Sequence, residues 1–578
     1  MGLSASFKFL SVASGCVACA VLFNNCSPSF QVPSAESLGL SQSLGALCTG
    51  GLNLTSKANA RLTAREFSHS LKDLYGGFVS ASVIEGALAS LPRESLSLAH
   101  TRLDFDSTIS RSVQFNEVEA YGAISETVAN AFAAKLKDFP DAGALTAMLG
   151  GNCFVTEARP GDVCLRKSYG ALAYRMYRRP PTVDEVERLL AIHKDSLNAD
   201  KYEAISLVAQ YLMQSPDFLY KVEGPFDGSG QVYALNDFEI ATRLAYGIIG
   251  GPPPNWLLTS AANGELVKEE SRGQIIERLF AMPEAERTTR DFYDQWLRTS
   301  QIPKVSEVGL GTSGLNPDRL RDSAIAEIRA YTRHITWGTS GSYRDLMTSN
   351  LLVPNSAELA QVYGVTRSST PVAGPAERRG LMTRAGMLMV KADGRTGPIV
   401  RGARLRSDML CDELMAPPDS VFSNLGSFSP LDSTRKQTED ITRAPSCMGC
   451  HSQINSLGFA FESYSGLGGQ RTTEVVSSEG QSRTHGVQTS GSAYVDRAPV
   501  NFNDSQDLVE RIVSGHQGPL CMAKRYYQFT SGLGKTSAQG CEFEEMAKVL
   551  ASSDGSILDM MKSYYARREI LYRLPGEL

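Results

Sequence analysis

Cys447 and Cys450 stand three residues apart, and His451 follows directly on the second. No other stretch limits the chain so tightly. On a helix, residues at i and i+3 share a face and i+4 lies beside them. A helix starting here therefore presents two sulfurs and an imidazole together. Cys-x-x-Cys-His is the attachment sequence for c-type haem, in which each thiol adds across a vinyl group and the histidine binds iron from below the ring. Ser446 is a favourable N-cap and Gly458 a favourable stop, so a helix is expected over residues 447–457. Chance occurrence of the motif and two other uses of a cysteine pair compete. A redox disulfide goes with a βαβ setting that the surrounding sequence lacks. Half a zinc site needs a second Cys/His pair at the usual spacing, and none completes four ligands. The adjacent histidine separates haem attachment from both.

The compartment is read from the other end of the chain. Lys8 is the only charge near the start, and Phe9 to Phe23 is almost wholly apolar or small. This reads as a secretory signal peptide over residues 1–25. Cys26 follows, and then a Ser/Pro-rich stretch, the arrangement of a lipoprotein whose lipidated cysteine becomes the new N-terminus. Phe23-Asn24-Asn25 departs from the usual residues before such a cysteine. Ala13-Ser14-Gly15-Cys16 is closer to them but leaves too short an apolar run. Simple cleavage with an unlipidated Cys26 stands as the alternative. The expected location is outside the cytoplasm, at the cell envelope, anchored to the outer membrane by lipid at Cys26.

Export changes the meaning of the 11 cysteines. Cys16 and Cys19 leave with the signal, Cys26 takes lipid, and Cys447 and Cys450 take haem. Six remain, an even number for an oxidising compartment. Spacing predicts Cys153–Cys164 and Cys521–Cys541 as local disulfides, and elimination leaves Cys48–Cys411.

The rest of the chain is ordinary globular material. Its 578 residues carry a formal charge of -5 and 42% hydrophobic residues, with no polybasic tract of the kind that binds nucleic acid. Apolar residues recur at helical spacing through most of it: Arg61–Gly76, Glu119–Leu136, Asn236–Ile249 and several later stretches. Lys167–Leu190 reads as helix, break, helix, with Thr182 and Glu185 as a capping box. The predicted fold is mainly α, in several helical modules that include a small cytochrome-c-like haem module, with minor β. The predicted division is a tether over 26–58, helical modules over 59–150, 151–228 and 229–370, the haem module over 371–475 and a C-terminal helical module over 476–578.

Several stretches together carry a resemblance. They are RLTAREFSHSLKDLYG, YRMYRRPPTVDE, FEIATRLAYGIIGGPPPNWLL, RDFYDQWL, DLMTSNLLVPNSAELAQVYGV, RRGLMTRAGMLMV with TGPIVRG, and CMGCHSQINSLGFAFESYSGLGGQR. In this order they resemble the exported cytochrome-associated proteins abundant in planctomycetes and found also in predatory and gliding bacteria, which string together domains of unknown function. The resemblance covers most of the chain after residue 58. Asn455-Ser456-Leu457-Gly458-Phe459 stands where that family has Asp-Pro-Leu/Ile-Gly-Phe. Thr396-Gly397-Pro398-Ile399 stands for Thr-Ser-Pro-Val, and a usual tryptophan is replaced near Ile249. The resemblance implies one c-type haem at Cys447, Cys450 and His451 and an exported multidomain protein. It implies no particular reaction.

Around the haem, Arg395 and Arg401 are candidate partners of the propionates, which need cations or water. The sixth iron ligand decides between a closed electron carrier and an open, peroxide- or oxygen-reactive site. Met522 is the favoured candidate, with Met387, Met389, His485 and His516 as others, although methionine is most often core filler. Phe459, Phe461 and Tyr464 suit either a porphyrin face or an ordinary core. Electron transfer to a redox partner at the envelope is the first expectation. A haem-dependent oxidase or peroxidase and a non-redox surface binding protein are the alternatives.

Overall fold

A computed structural model describes residues 54–575 except 55, 58, 95–102, 109–112, 139–142, 197–199, 225–231, 311–312, 415–426, 534–540 and 553. The expected signal peptide, tether and lipidated Cys26 lie outside these residues, as does Cys48. The chain is mainly α, about 59% helix and 8% strand.

The apolar side chains gather in two cores. The first is built by α1 (Ala64–Tyr75), α2 (Phe115–Asp138), α3 (Asp162–Tyr177), α4 (Val183–Asp195) and α5 (Lys201–Gln214). Segments 59–150 and 151–228 therefore share one interior. Local chemistry sets the helix ends. Thr63 and Glu66 form a capping box at the start of α1, and Thr182 with Glu185 does the same for α4. α3 stops because Arg178 turns left-handed, at φ 62°, and two prolines follow. The Arg178-Arg179 pair is fully occupied by the protein. Buried Arg178 donates to the carbonyls of Asp217, Phe218 and Tyr220, while Arg179 pairs with Glu185 and Asp217.

The second core takes in Leu103 and then runs from Leu235 to Ile570. Its members include α6 (Asp237–Ile248), α7 (Glu269–Phe280), α8 (Pro283–Trp296) and α9 (Pro317–Arg333). They continue with α12 (Pro445–Phe459), against which α10 (Pro398–Arg404) and α11 (Thr434–Ile441) pack. α13 (Ser505–Ser514), α14 (Gln517–Ser531), α15 (Cys541–Ala551) and α16 (Ile557–Ala566) complete them. Trp296 is buried here beside Phe292 and Tyr293. Where the two cores meet, Arg287 clamps Asp73 through two bonds of 2.8 Å, and Arg65 donates to Asp106 at 2.8 Å. His69 is buried in the same seam. Its Nδ1 lies 3.3 Å from the Gly250 carbonyl and its Nε2 3.5 Å from Asp291.

The strands are short. β1 (Ser56–Lys57) and β2 (Tyr233–Ala234) flank β7 (Tyr572–Pro575), which fastens the two ends of the described chain together. Two hairpins follow the motif helix: β3 (Thr473–Ser478) with β4 (Gln481–Gly486), and β5 (Gly491–Val495) with β6 (Ala498–Phe502). The second reverses at Asp496 and Arg497, both at positive φ, which a two-residue hairpin of this hand requires. Asp496 also has a long-range use: its carboxylate accepts from the backbone N–H groups of His516 and Gln517 and so caps α14.

The candidate haem-attachment site

The motif helix is longer than its sequence signals imply. α12 begins at Pro445, a residue pre-shaped for the first helical position, with Ala444 and not Ser446 at the N-cap. It runs through Gly458 to Phe459, and Gly458 is a packing surface instead of a stop. α10 crosses α12 with the two backbones in contact. A methyl group at Gly402 would sit 2.0 Å from the Ile454 carbonyl oxygen, and one at Gly458 1.9 Å from that of Pro398. The Gly-rich stretch before the motif therefore serves as the bed of the helix. β5 and α11 pack on its other sides, and the π-helical turn Leu405–Met409 continues from α10 alongside it.

On this helix Cys447 is buried, Cys450 is exposed and His451 is half-buried, and no disulfide joins the two thiols. The imidazole is held from one side. Its Nδ1 lies 3.0 Å from Asn455 Oδ1, one helical turn on. Asn455 Nδ2 donates to Thr442 Oγ1 at 2.9 Å, and that hydroxyl donates to the Thr438 carbonyl at 2.7 Å. Asn455, Thr442 and Thr438 are all buried. His451 Nε2 makes no hydrogen bond among the described residues, so it is the ring nitrogen left for a metal. The donor set fits covalent haem: two thiols and an imidazole at i, i+3 and i+4, with the imidazole braced through its other nitrogen.

The residues expected to surround this triad are placed differently. Arg401 is buried beneath the C-terminal end of the helix. It donates to the carbonyls of Leu388, Phe461, Tyr464 and Ser465 and pairs with Glu462 at 3.3 Å. Burial pushes its guanidinium down to about 10 despite the Glu462 carboxylate. Its donors are spent on the fold, so it is a structural clamp and no propionate partner. Arg395 is exposed and folds back on Asp393, with Nε 2.9 Å from a carboxylate oxygen. Met522 is fully buried in the second core, as are Met387 and Met389 with little or no exposure. His485 contacts the Leu431 carbonyl at 2.8 Å, and exposed His516 lies 3.4 Å from Glu544. Phe459, Phe461 and Tyr464 are core residues: Arg435 stacks on Phe459, and Arg378 on Tyr464.

Beyond the motif, Cys153 and Cys164 are joined as their spacing predicts, with Cα atoms 5.9 Å apart. Cys521 is joined to Cys411, 110 residues away, and not to Cys541; the pairing of Cys411 with Cys48, expected by elimination, falls with it. The turn Leu405–Met409 packs on α14, which brings Cys411 to Cys521. The side chain of Cys541 lies outside the described residues.

One feature beside the site has no simple sequence signal. Asp408, in the π turn, pairs with Arg298 through two bonds of 2.8 Å, and its carbonyl accepts from Trp296 Nε1 at 2.9 Å. Two more buried guanidiniums, Arg404 and Arg525, feel the same carboxylate, and burial pushes each down to about 10.

Three family models match the chain in order. A protein of unknown function (DUF1595, PSD5) matches residues 164–223, a second (DUF1592, PSD4) residues 235–365, and a third (DUF1588, PSCyt3) residues 378–474. The third span contains α10, α12 and the whole Cys447–His451 motif. No curated protein and no solved structure gives a match.

Proposed function

The chain belongs to the planctomycete-type cytochrome-associated family built from a string of domains of unknown function, and from that premise we propose that it is an exported monohaem c-type cytochrome-like protein that passes electrons at the bacterial cell envelope. The observation that carries this reading is the arrangement of Cys447, Cys450 and His451 on one face of α12, with His451 braced through Nδ1 and open at Nε2. Bound haem supplies a one-electron couple. Cys447 and Cys450 would hold the macrocycle through two thioether bonds, and His451 would hold its iron. The backbone contact of α10 with α12 fixes the helix that carries Cys447, Cys450 and His451. Two disulfides among the described residues agree with an oxidising compartment. Cys26 is the proposed lipid anchor, and the partner is another redox protein at the envelope.

The test is expression in a host with c-type haem maturation, followed by a pyridine haemochrome assay and a reduced-minus-oxidised spectrum. One covalent haem per chain, lost in Cys447→Ser with Cys450→Ser, supports the reading. Absence of covalent haem overturns it. A reduced spectrum unmoved by CO supports an electron carrier, and a CO-shifted one turns the assignment to a haem-dependent oxidase or peroxidase.

A further inference from the structure

The geometry points to Asn455 as the positioning residue that fixes which nitrogen of His451 meets the iron and that tunes the electron affinity of the site. This inference rests on the haem reading above. Its argument is the direction of a buried hydrogen-bond chain. The Thr438 carbonyl can only accept, so the Thr442 hydroxyl spends its proton there. Thr442 Oγ1 must then accept from Asn455, which turns the Nδ2 amide group toward Thr442. The Asn455 Oδ1 left facing His451 has no proton to give. His451 Nδ1 therefore carries the ring proton and donates it, and the lone pair resides on Nε2, the nitrogen available to iron. The amide cannot flip to reverse this, because Asn455, Thr442 and Thr438 are all buried and the carbonyl of Thr438 anchors the direction.

The partner's charge matters as much as its direction. A neutral amide draws less proton density from the imidazole than a carboxylate does, so His451 remains a moderate donor and the reduced iron is favoured.

The experiment compares haem-loaded wild type, Asn455→Asp, Asn455→Leu and Thr442→Val by potentiometric titration and by the proton NMR shift of the His451 Nδ1 proton in the diamagnetic ferrous state. Asn455→Asp keeps the acceptor and adds charge, so at fixed ambient potential its ferric-to-ferrous ratio is expected to rise about tenfold, which for one electron is about 59 mV. Its ring proton moves downfield. Asn455→Leu removes the acceptor and moves both readouts the opposite way. Thr442→Val releases the amide and broadens the proton line, and it serves where Asn455→Leu fails to fold. A merely structural asparagine would leave the potentials of Asn455→Asp and Asn455→Leu shifted in the same direction or not at all, and either result overturns this inference alone. A wild type without covalent haem overturns it together with the reading beneath it.

Discussion

Arg298 and Asp408 face each other through two buried bonds of 2.8 Å, joining the end of α8 to the turn beside the motif helix. Removing one member of a buried pair leaves the other charged and dry, a loss of about 3–5 kcal/mol. The loss falls hard here, because Asp408 is also the carboxylate whose charge acts most strongly on Arg404 and Arg525. Asp408→Asn is expected to lower stability by that amount in guanidinium denaturation. Arg298→Met with Asp408→Leu is expected to recover most of it. A single-variant loss below about 1 kcal/mol would mean that the pair is solvated and exchangeable.

His69 gives the protein an acid-sensitive seam. Burial, with the Arg287 and Arg65 cations beside it, pushes its imidazole down to about 2. Unfolded, the same side chain takes up a proton below about pH 6.5. Between these values the unfolded chain binds the extra proton, so stability falls as pH falls, by about 1.4 kcal/mol per pH unit. Buried Asp291, whose carboxyl is raised by desolvation, works in the opposite sense. Comparing His69→Gln with wild type isolates the histidine. Between pH 6.5 and 5 the variant is expected to lose on the order of 2 kcal/mol less than wild type in urea melts. Parallel pH profiles would contradict this.

The crossing of α10 and α12 predicts a contrast between two glycines. Gly402→Ala drives a methyl into the Ile454 carbonyl, an overpacking cost of about 1–3 kcal/mol. It is also expected to reduce covalent haem per chain by shifting the motif helix. Nothing lies within 4 Å of a methyl placed at Gly449, and Gly449→Ala is expected to be neutral or stabilising by up to about 1 kcal/mol. Thermal melts with haem content measured on the same samples check both. Equal behaviour of the two variants would remove the tight crossing as the cause.

Much of the fold was legible because it depends on neighbours in sequence. The capping box of Thr182 and Glu185, the helix start at Asn236 and the mainly α character follow from local propensity and periodicity. The helical placement of Cys447, Cys450 and His451 was legible because it depends on local sequence. Arg401 misled because a basic residue in a Gly-rich stretch looks the same whether it meets a ligand or is consumed by four carbonyls from distant segments. Cys411–Cys521 misled because short separations favour pairing only when the fold leaves the thiols adjacent, and here the π turn carries one of them to α14. Asn455 stood out only as a departure from the family pattern. Its i+4 spacing from His451 was the signal of a side-chain contact, but the direction of that contact depends on Thr442, thirteen residues upstream.

The bond between Cys411 and Cys521 encloses the motif: Cys447, Cys450 and His451 all lie on the segment it closes. That segment is a covalent ring with the motif helix threaded into its circumference. A single protease cut within residues 412–520 opens the ring but severs nothing from the molecule, so the triad stays tethered to both the upstream and the downstream body. The molecule keeps whatever its triad carries through a nick that would split an unlinked chain in two.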